Sequence, residues 1–85
     1  MPSWAITREG DVLRVFLPAL TPTEWDPLLD AVRAAASGVE GHGISVIELR
    51  DLVGADSSAV RTSMIESLSD TLRQERLEVR IFPGT

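Results

Sequence analysis

A short apolar run between two helical patterns is the feature that most constrains the fold of this chain. Residues 44–49, Ile-Ser-Val-Ile-Glu-Leu, are mostly apolar or β-branched and directly follow Gly43. A run of this length and composition is typical of a strand, and we expect it at the centre of a sheet. Helical patterns before and after it mean that strand and helix alternate, which predicts parallel neighbours joined by right-handed crossovers.

The first helical pattern covers residues 20–37. Its apolar side chains recur at spacings of three and four, at Trp25, Leu28, Leu29, Val32 and Ala36. Two starts are open: a capping box formed by residues 21–24, or Asp26 as the cap with Pro27 just inside the helix. We expect a loose turn from about Thr23, a regular helix from Pro27 to about Ser37, and a stop at Gly38.

The second helical pattern begins at about Ser57 or Ser58 and ends at Gln74. Its predicted core stripe is Val60, Met64, Leu68 and Leu72, with Ile65 beside it.

Strand patterns open and close the chain. Residues 3–17 contain two of them, separated by a turn at residues 9–11, and Pro18 ends the second. Residues 77–82 alternate apolar and charged side chains and predict a last strand, followed by a short tail. The order is therefore β-β-α-β-α-β, which predicts one small α/β domain over residues 1–85 with a mixed sheet. Its helices pack on one face of that sheet or flank both.

Composition excludes several classes of function. Eight basic residues against thirteen acidic ones give a formal net charge of −5, which argues against binding to nucleic acid. Cysteine and lysine are absent and His42 is the only histidine, so we expect no cofactor, no metal site and no enzymatic activity. No apolar run approaches the ~20 residues that span a bilayer. The expected location is the cytoplasm, and we predict no direct membrane insertion.

The segment Asp56-Ser57-Ser58 lies where the loop after the central strand meets the second helix. Its simplest interpretation is a helix cap, since Asp and Ser accept hydrogen bonds from free N–H groups at a helix start. The same N–H groups would stabilise a phosphate on Ser57 or Ser58. The residues themselves leave both interpretations open.

With the strand 44–49, the loop 50–52 and the segment 55–58, the chain resembles the STAS domain, the family of sulfate transporters and anti-sigma factor antagonists. That family has an apolar strand, a short loop and Asp-Ser-Ser or Asp-Ser-Thr opening a helix. In antagonist members a partner kinase, itself an anti-sigma factor, phosphorylates a serine of this loop. The resemblance makes Ser57 and Ser58 the phosphorylation candidates, with Asp56 positioning the hydroxyl group.

The resemblance also implies a partner surface on the first turn of the second helix, at Ala59, Arg61 and Thr62. Two features depart from the family: Glu48 stands near the usual aspartate, and Ala59-Val60-Arg61 replaces a common Gly-Leu-Gly. The family's last helix, strand and helix have no counterpart in these 85 residues. We therefore expect residues 64–72 and 77–82 to leave apolar surface exposed, and we predict that a homodimer or an obligate hetero-complex covers it. Strand pairing at the sheet edge is one way in which such a complex could form.

Two functions follow as hypotheses. The first is a regulatory domain that binds a protein partner, such as an anti-sigma factor kinase, with binding gated by serine phosphorylation. The second keeps the fold without the switch: an accessory subunit of a larger complex, such as a transporter, in which Asp-Ser-Ser is only a cap.

Overall fold

Strands and helices follow one another in the predicted order β-β-α-β-α-β. The computed structural model describes residues 3–37, 43–53 and 59–82. Within these residues a single 3₁₀ turn, Pro22–Glu24, precedes the first helix. The strands and helices are β1 (Ala5–Glu9), β2 (Val12–Leu17), α1 (Trp25–Ser37), β3 (Val46–Asp51), α2 (Ala59–Gln74) and β4 (Glu78–Phe82).

The four strands form one mixed sheet in the order β1-β2-β3-β4. β1 pairs antiparallel with β2, while β2 with β3 and β3 with β4 pair in parallel. β3 therefore lies between two parallel neighbours, which confirms the predicted central position of this segment and its predicted neighbour β2. β1 and β4 are left at the two edges of the sheet.

A two-residue turn joins β1 to β2. Gly10 takes a φ of +62°, a conformation that side chains disfavour and that two-residue hairpin turns require. Asp11, the second turn residue, is tied to the start of β3: its carbonyl accepts hydrogen bonds from the amides of Ser45 and Val46. The hairpin thus sets where the central strand enters the sheet.

The strand predicted at residues 44–49 begins and ends two residues later, at Val46 and Asp51. β3 begins at Val46 and continues through Arg50 to Asp51, because both of these residues align with the last residues of β2. The last strand begins at Glu78, one residue later than predicted.

Both helices pack on the same face of the sheet. The chain moves in one direction from β2 to β3 to β4, and right-handed crossovers then place α1 and α2 on one side. The buried apolar side chains form one core cluster: Leu13, Val15, Leu17, Trp25, Leu28, Val32, Ile47, Leu49, Ile65, Leu68, Leu72 and Val79. The fold therefore has two layers.

No described helix covers the opposite face of the sheet, which we call the open face. It is formed by the alternate side chains Ala5, Thr7, Glu9, Val12, Arg14, Phe16, Val46, Glu48, Arg50, Glu78, Arg80 and Phe82. The central strand presents different side chains to the two faces of the sheet. Ile47 and Leu49 are buried on the helix side, but Val46 on the open face is only half-buried.

The capping box, rather than Asp26, begins the first helical segment. The backbone amide of Thr21 donates to Glu24 Oε1 (3.1 Å), and the amide of Glu24 donates to the carbonyl of Thr21 (3.0 Å). α1 then starts at Trp25, so Pro27 lies in its first turn, where no intrahelical acceptor awaits its missing N–H. The prediction of a regular helix only from Pro27 is thus two residues late.

The buried stripe of α2 differs from the predicted one by one helical position. Its buried residues are Arg61, Ile65, Leu68, Ser69 and Leu72, whereas Val60 is 65% exposed. Placing Val60 in the core was wrong, because Arg61 turns its own side chain inward. Arg76 ends the segment with a φ of +66°, the left-handed conformation that glycine more often supplies.

Candidate partner-binding site

The carboxyl ends of β2, β3 and β4 meet at the same end of the sheet because these strands are parallel. We call this region the carboxyl end of the domain. β3 leaves the sheet at Asp51, and the amide of Leu52 donates to the carbonyl of Leu17 at the end of β2 (2.9 Å). The amide of Val53 donates to Asp51 Oδ1 (2.9 Å). The next described residue is Ala59, the first residue of α2.

A buried guanidinium group fastens α2 to this end of the sheet. Arg61 Nη1 donates to the carbonyl of Pro18 (2.6 Å), and Nη2 donates to the carbonyl of Leu17 (2.6 Å) and to Asp51 Oδ1 (2.8 Å). The Arg61 side chain is 8% exposed and that of Asp51 is 12% exposed. This ion pair connects the ends of two strands with the first turn of the helix.

The predicted site residues fall into three groups. Asp56, Ser57 and Ser58 lie outside the described residues, as do the predicted helix stop Gly38, the single histidine His42 and the predicted tail 83–85. Ala59 and Thr62 are exposed on the first turn of α2, and their part in a partner surface stays a prediction. Arg61 is different: its buried side chain forms the anchor just described, so we correct its role from partner contact to positioning of the helix start.

The pairing of Asp51 with Arg61 was missed by the sequence analysis. The sequence pattern places Asp51 in a loop and Arg61 on the surface of the second helix. One signal was available: Arg61 lies four residues before Ile65 and seven before Leu68, so it continues their stripe toward the helix start.

Four large apolar side chains are exposed among the described residues, and all of them lie at or near the carboxyl end. They are Leu52 (59% exposed), Val60 (65%), Ile81 (41%) and Phe82 (37%). Leu52 follows β3, Val60 is on the first turn of α2, and the other two end β4. The segment 54–58 is flanked along the chain by the two most exposed members of this set. Among the described residues, large exposed apolar side chains occur at this end, which makes it the candidate interaction surface.

The open face carries a cluster of paired charges. Glu48 Oε1 accepts hydrogen bonds from Arg14 Nε and Arg50 Nη2, both at 3.1 Å, and Arg14 also pairs with Glu9. The Arg50 guanidinium lies over the Phe82 ring, 4.7 Å from its centroid. Partial desolvation opposes ionisation of Glu48, but the hydrogen bonds from Arg50 and Arg14 outweigh it and hold its pKa below the usual range. Glu48 is therefore ionised at neutral pH, which does not suit a proton donor.

A shallow groove runs between the two helices. Its volume is about 50 Å³, far below the ~300 Å³ of the smallest usual ligand pockets. It is lined by Trp25, Asp26, Leu29, Met64, Ser67, Leu68 and Thr71. The groove therefore offers room for a side chain or water rather than for a cofactor.

Comparisons of the chain with family models, curated proteins and solved structures give no match. In the part of the chain that the structure describes, no cluster of three or more histidine, aspartate or glutamate side chains could hold a metal ion. Neither described helix has the length and apolar character needed to cross a membrane. The candidate site thus rests on the geometry of the carboxyl end and on the chemistry of the residues around it.

Proposed function

We propose that this chain is a cytoplasmic, non-enzymatic regulatory domain that binds a protein partner through its carboxyl end. The exposure of Leu52 and Val60 on either side of the segment 54–58 carries the proposal. Apolar side chains this exposed gain most from burial against a partner.

The resemblance to STAS antagonists supplies the proposed regulation. Phosphorylation of Ser57 or Ser58 adds about −1.5 to −2 charges directly before the first turn of α2. The same turn carries Ala59 and Thr62, which are exposed, and Val60. A phosphate there weakens docking by repulsion and by desolvation cost, and the Arg61 anchor keeps the helix start in place in both states.

Serine variants test the switch. We expect Ser57→Ala combined with Ser58→Ala to bind the partner constitutively, with unfolding free energy lowered by no more than the loss of a helix cap, about 0.5–2 kcal/mol. Ser58→Asp should bind more weakly than the wild type while melting at a similar temperature. The measurement is affinity capture from the native cell with each variant as bait, followed by intact-mass analysis of the captured wild-type chain.

Three outcomes decide between the hypotheses. A kinase among the captured proteins, together with a phosphate mass on Ser57 or Ser58, supports the switch. A complex that retains both serine variants equally, with no modification of the bait, favours the accessory-subunit function. Loss of binding in a Leu52→Asp bait, with a Glu66→Gln bait on the outer side of α2 as the control, tests the docking surface separately from the switch.

A further inference from the structure

One edge of the sheet can pair with itself. β4 has a single neighbour among the described strands, β3, so its outer edge offers unpaired backbone groups. The amide of Glu78 donates to the carbonyl of Ser45 on the β3 side (3.1 Å). Because backbone groups alternate along a strand, those of Val79 and Ile81 point to the outer edge. An added antiparallel strand would bond to these odd-numbered residues.

Two-fold pairing of β4 with a second copy allows few registers. A two-fold axis perpendicular to the sheet places each copy's helices on the same face and requires an odd-numbered residue to oppose an odd-numbered one. Three registers satisfy this near the strand centre: Val79 opposes Leu77, Val79 or Ile81 of the second copy. These three registers differ in which charged side chains they place opposite each other.

Only one of these registers matches opposite charges. With Val79 opposite Val79 of the second copy, Glu78 faces Arg80 of that copy and Arg80 faces its Glu78. On the helix face, Ile81 then lies opposite Leu77 of the second copy, an apolar pair. Shifting the register by two residues in either direction places Arg80 against Arg80 or Glu78 against Glu78, and like charges directly opposite are destabilising.

The edge strand at the other side of the sheet lacks this property. The charged residues of β1 are Arg8 and Glu9, which point to opposite faces of the sheet. Two-fold registers of β1 therefore never place them opposite each other, and the register centred on Arg8 opposes two guanidinium groups. Self-pairing thus gains matched opposite charges at β4 but not at β1.

We propose that two copies of this chain associate along β4 as an antiparallel pair centred on Val79, which extends the sheet to eight strands. The Glu78–Arg80 pair already exists within one chain, with Arg80 Nε 2.7 Å from Glu78 Oε2 and both side chains 57% exposed. Pairing of two copies joins the two intrachain pairs into one network of four charges. Exposed Ile81 gains an apolar neighbour in the same step.

Charge reversal tests this register, with sedimentation velocity over a range of protein concentrations as the measurement. We expect Glu78→Arg to weaken dimerisation about tenfold or more, because each copy then presents arginine to arginine. Adding Arg80→Glu in the same chain should restore the dimer to within about threefold of the wild type. Glu66→Arg changes the net charge equally on an exposed position of α2 and should leave the dimer unchanged.

Disulfide trapping reports the register independently, since the chain has no cysteine of its own. Directly opposed, hydrogen-bonded residues lie about 5.5 Å apart between Cα atoms, within the range of a disulfide. We expect Val79→Cys to form a covalent dimer on oxidation and Ile81→Cys not to form one. A wild type that stays monomeric at every concentration, a dimer that tolerates Glu78→Arg, or open-ended growth through pairing of β1 with β4 would each overturn the proposal.

Discussion

Glu48 shows how a single side chain stabilises the open face of the sheet. It is 8% exposed although no described helix lies over it, because the arginines beside it cover its carboxylate. Its pKa lies below the ordinary value near 4.5. Because the pKa of Glu48 is lower in the folded state than in the unfolded state, its ionisation stabilises the fold. This stabilisation is fully present at pH values above the pKa of the unfolded state. That stabilisation is lost as the pH falls through the folded pKa.

We therefore expect Glu48→Gln to melt at a lower temperature than the wild type at neutral pH. The difference should shrink as the pH falls below about 4.5 and vanish once Glu48 itself is protonated in the folded wild type. Thermal melting of both proteins across the acid range is the measurement. Glu66→Gln, at an exposed position of α2, is the control and should follow the wild type at every pH. A constant gap between wild type and Glu48→Gln would contradict this assignment.

At the scale of the elements, the carboxyl end depends on one contact between α2 and the sheet. The Arg61 guanidinium binds two carbonyl groups at the end of β2 and a carboxylate at the end of β3. Its planar fork reaches several acceptors at once, which a lysine ammonium group cannot do with the same geometry. Removing it would leave a largely buried carboxylate without this partner.

We expect Arg61→Met to lower the free energy of unfolding by about 3–5 kcal/mol, the usual cost of breaking a buried ion pair by removing one partner. Arg61→Lys should cost less, about 1–3 kcal/mol, and provides a measurable variant if the methionine variant does not fold. Arg73→Met on the same helix is the control: its pair with Asp70 is exposed, so its change should stay within about 1 kcal/mol. Urea unfolding measures all three, and equal values for Arg61→Met and Arg73→Met would contradict the anchor.

The elements were largely predictable because their signals are local. The β-branched run around Val46 and the three-and-four spacing of Trp25, Leu28 and Val32 each specify a strand or a helix without reference to the rest of the chain. The errors arose where a distant residue decides the outcome. β3 extends to Asp51 because β2 lies alongside it, and Val60 turns outward because Arg61 reaches carbonyl groups more than forty residues away.

At the scale of the whole molecule, the two ends of the sheet differ in character. At one end, the carbonyl of Asp11 accepts hydrogen bonds from Ser45 and Val46 and closes the hairpin against β3. The carboxyl end instead exposes Leu52, Val60 and Phe82 around the ends of parallel strands. From the Asp-Ser-Ser segment, the sequence analysis predicts a functional region at this end. It could not identify the exposed apolar residues, since exposure depends on how α2 is rotated against the sheet.

Site-specific photo-crosslinking in the native cell tests whether the first turn of α2 contacts a partner protein. A photoreactive amino acid replaces Val60 in one variant and Glu66, on the outer side of α2, in the control. We expect one crosslinked partner protein from position 60, none from position 66, and loss of the crosslink when Ser58→Asp is added. Equal crosslinking from both positions, or a crosslink from position 60 that Ser58→Asp leaves unchanged, would contradict it.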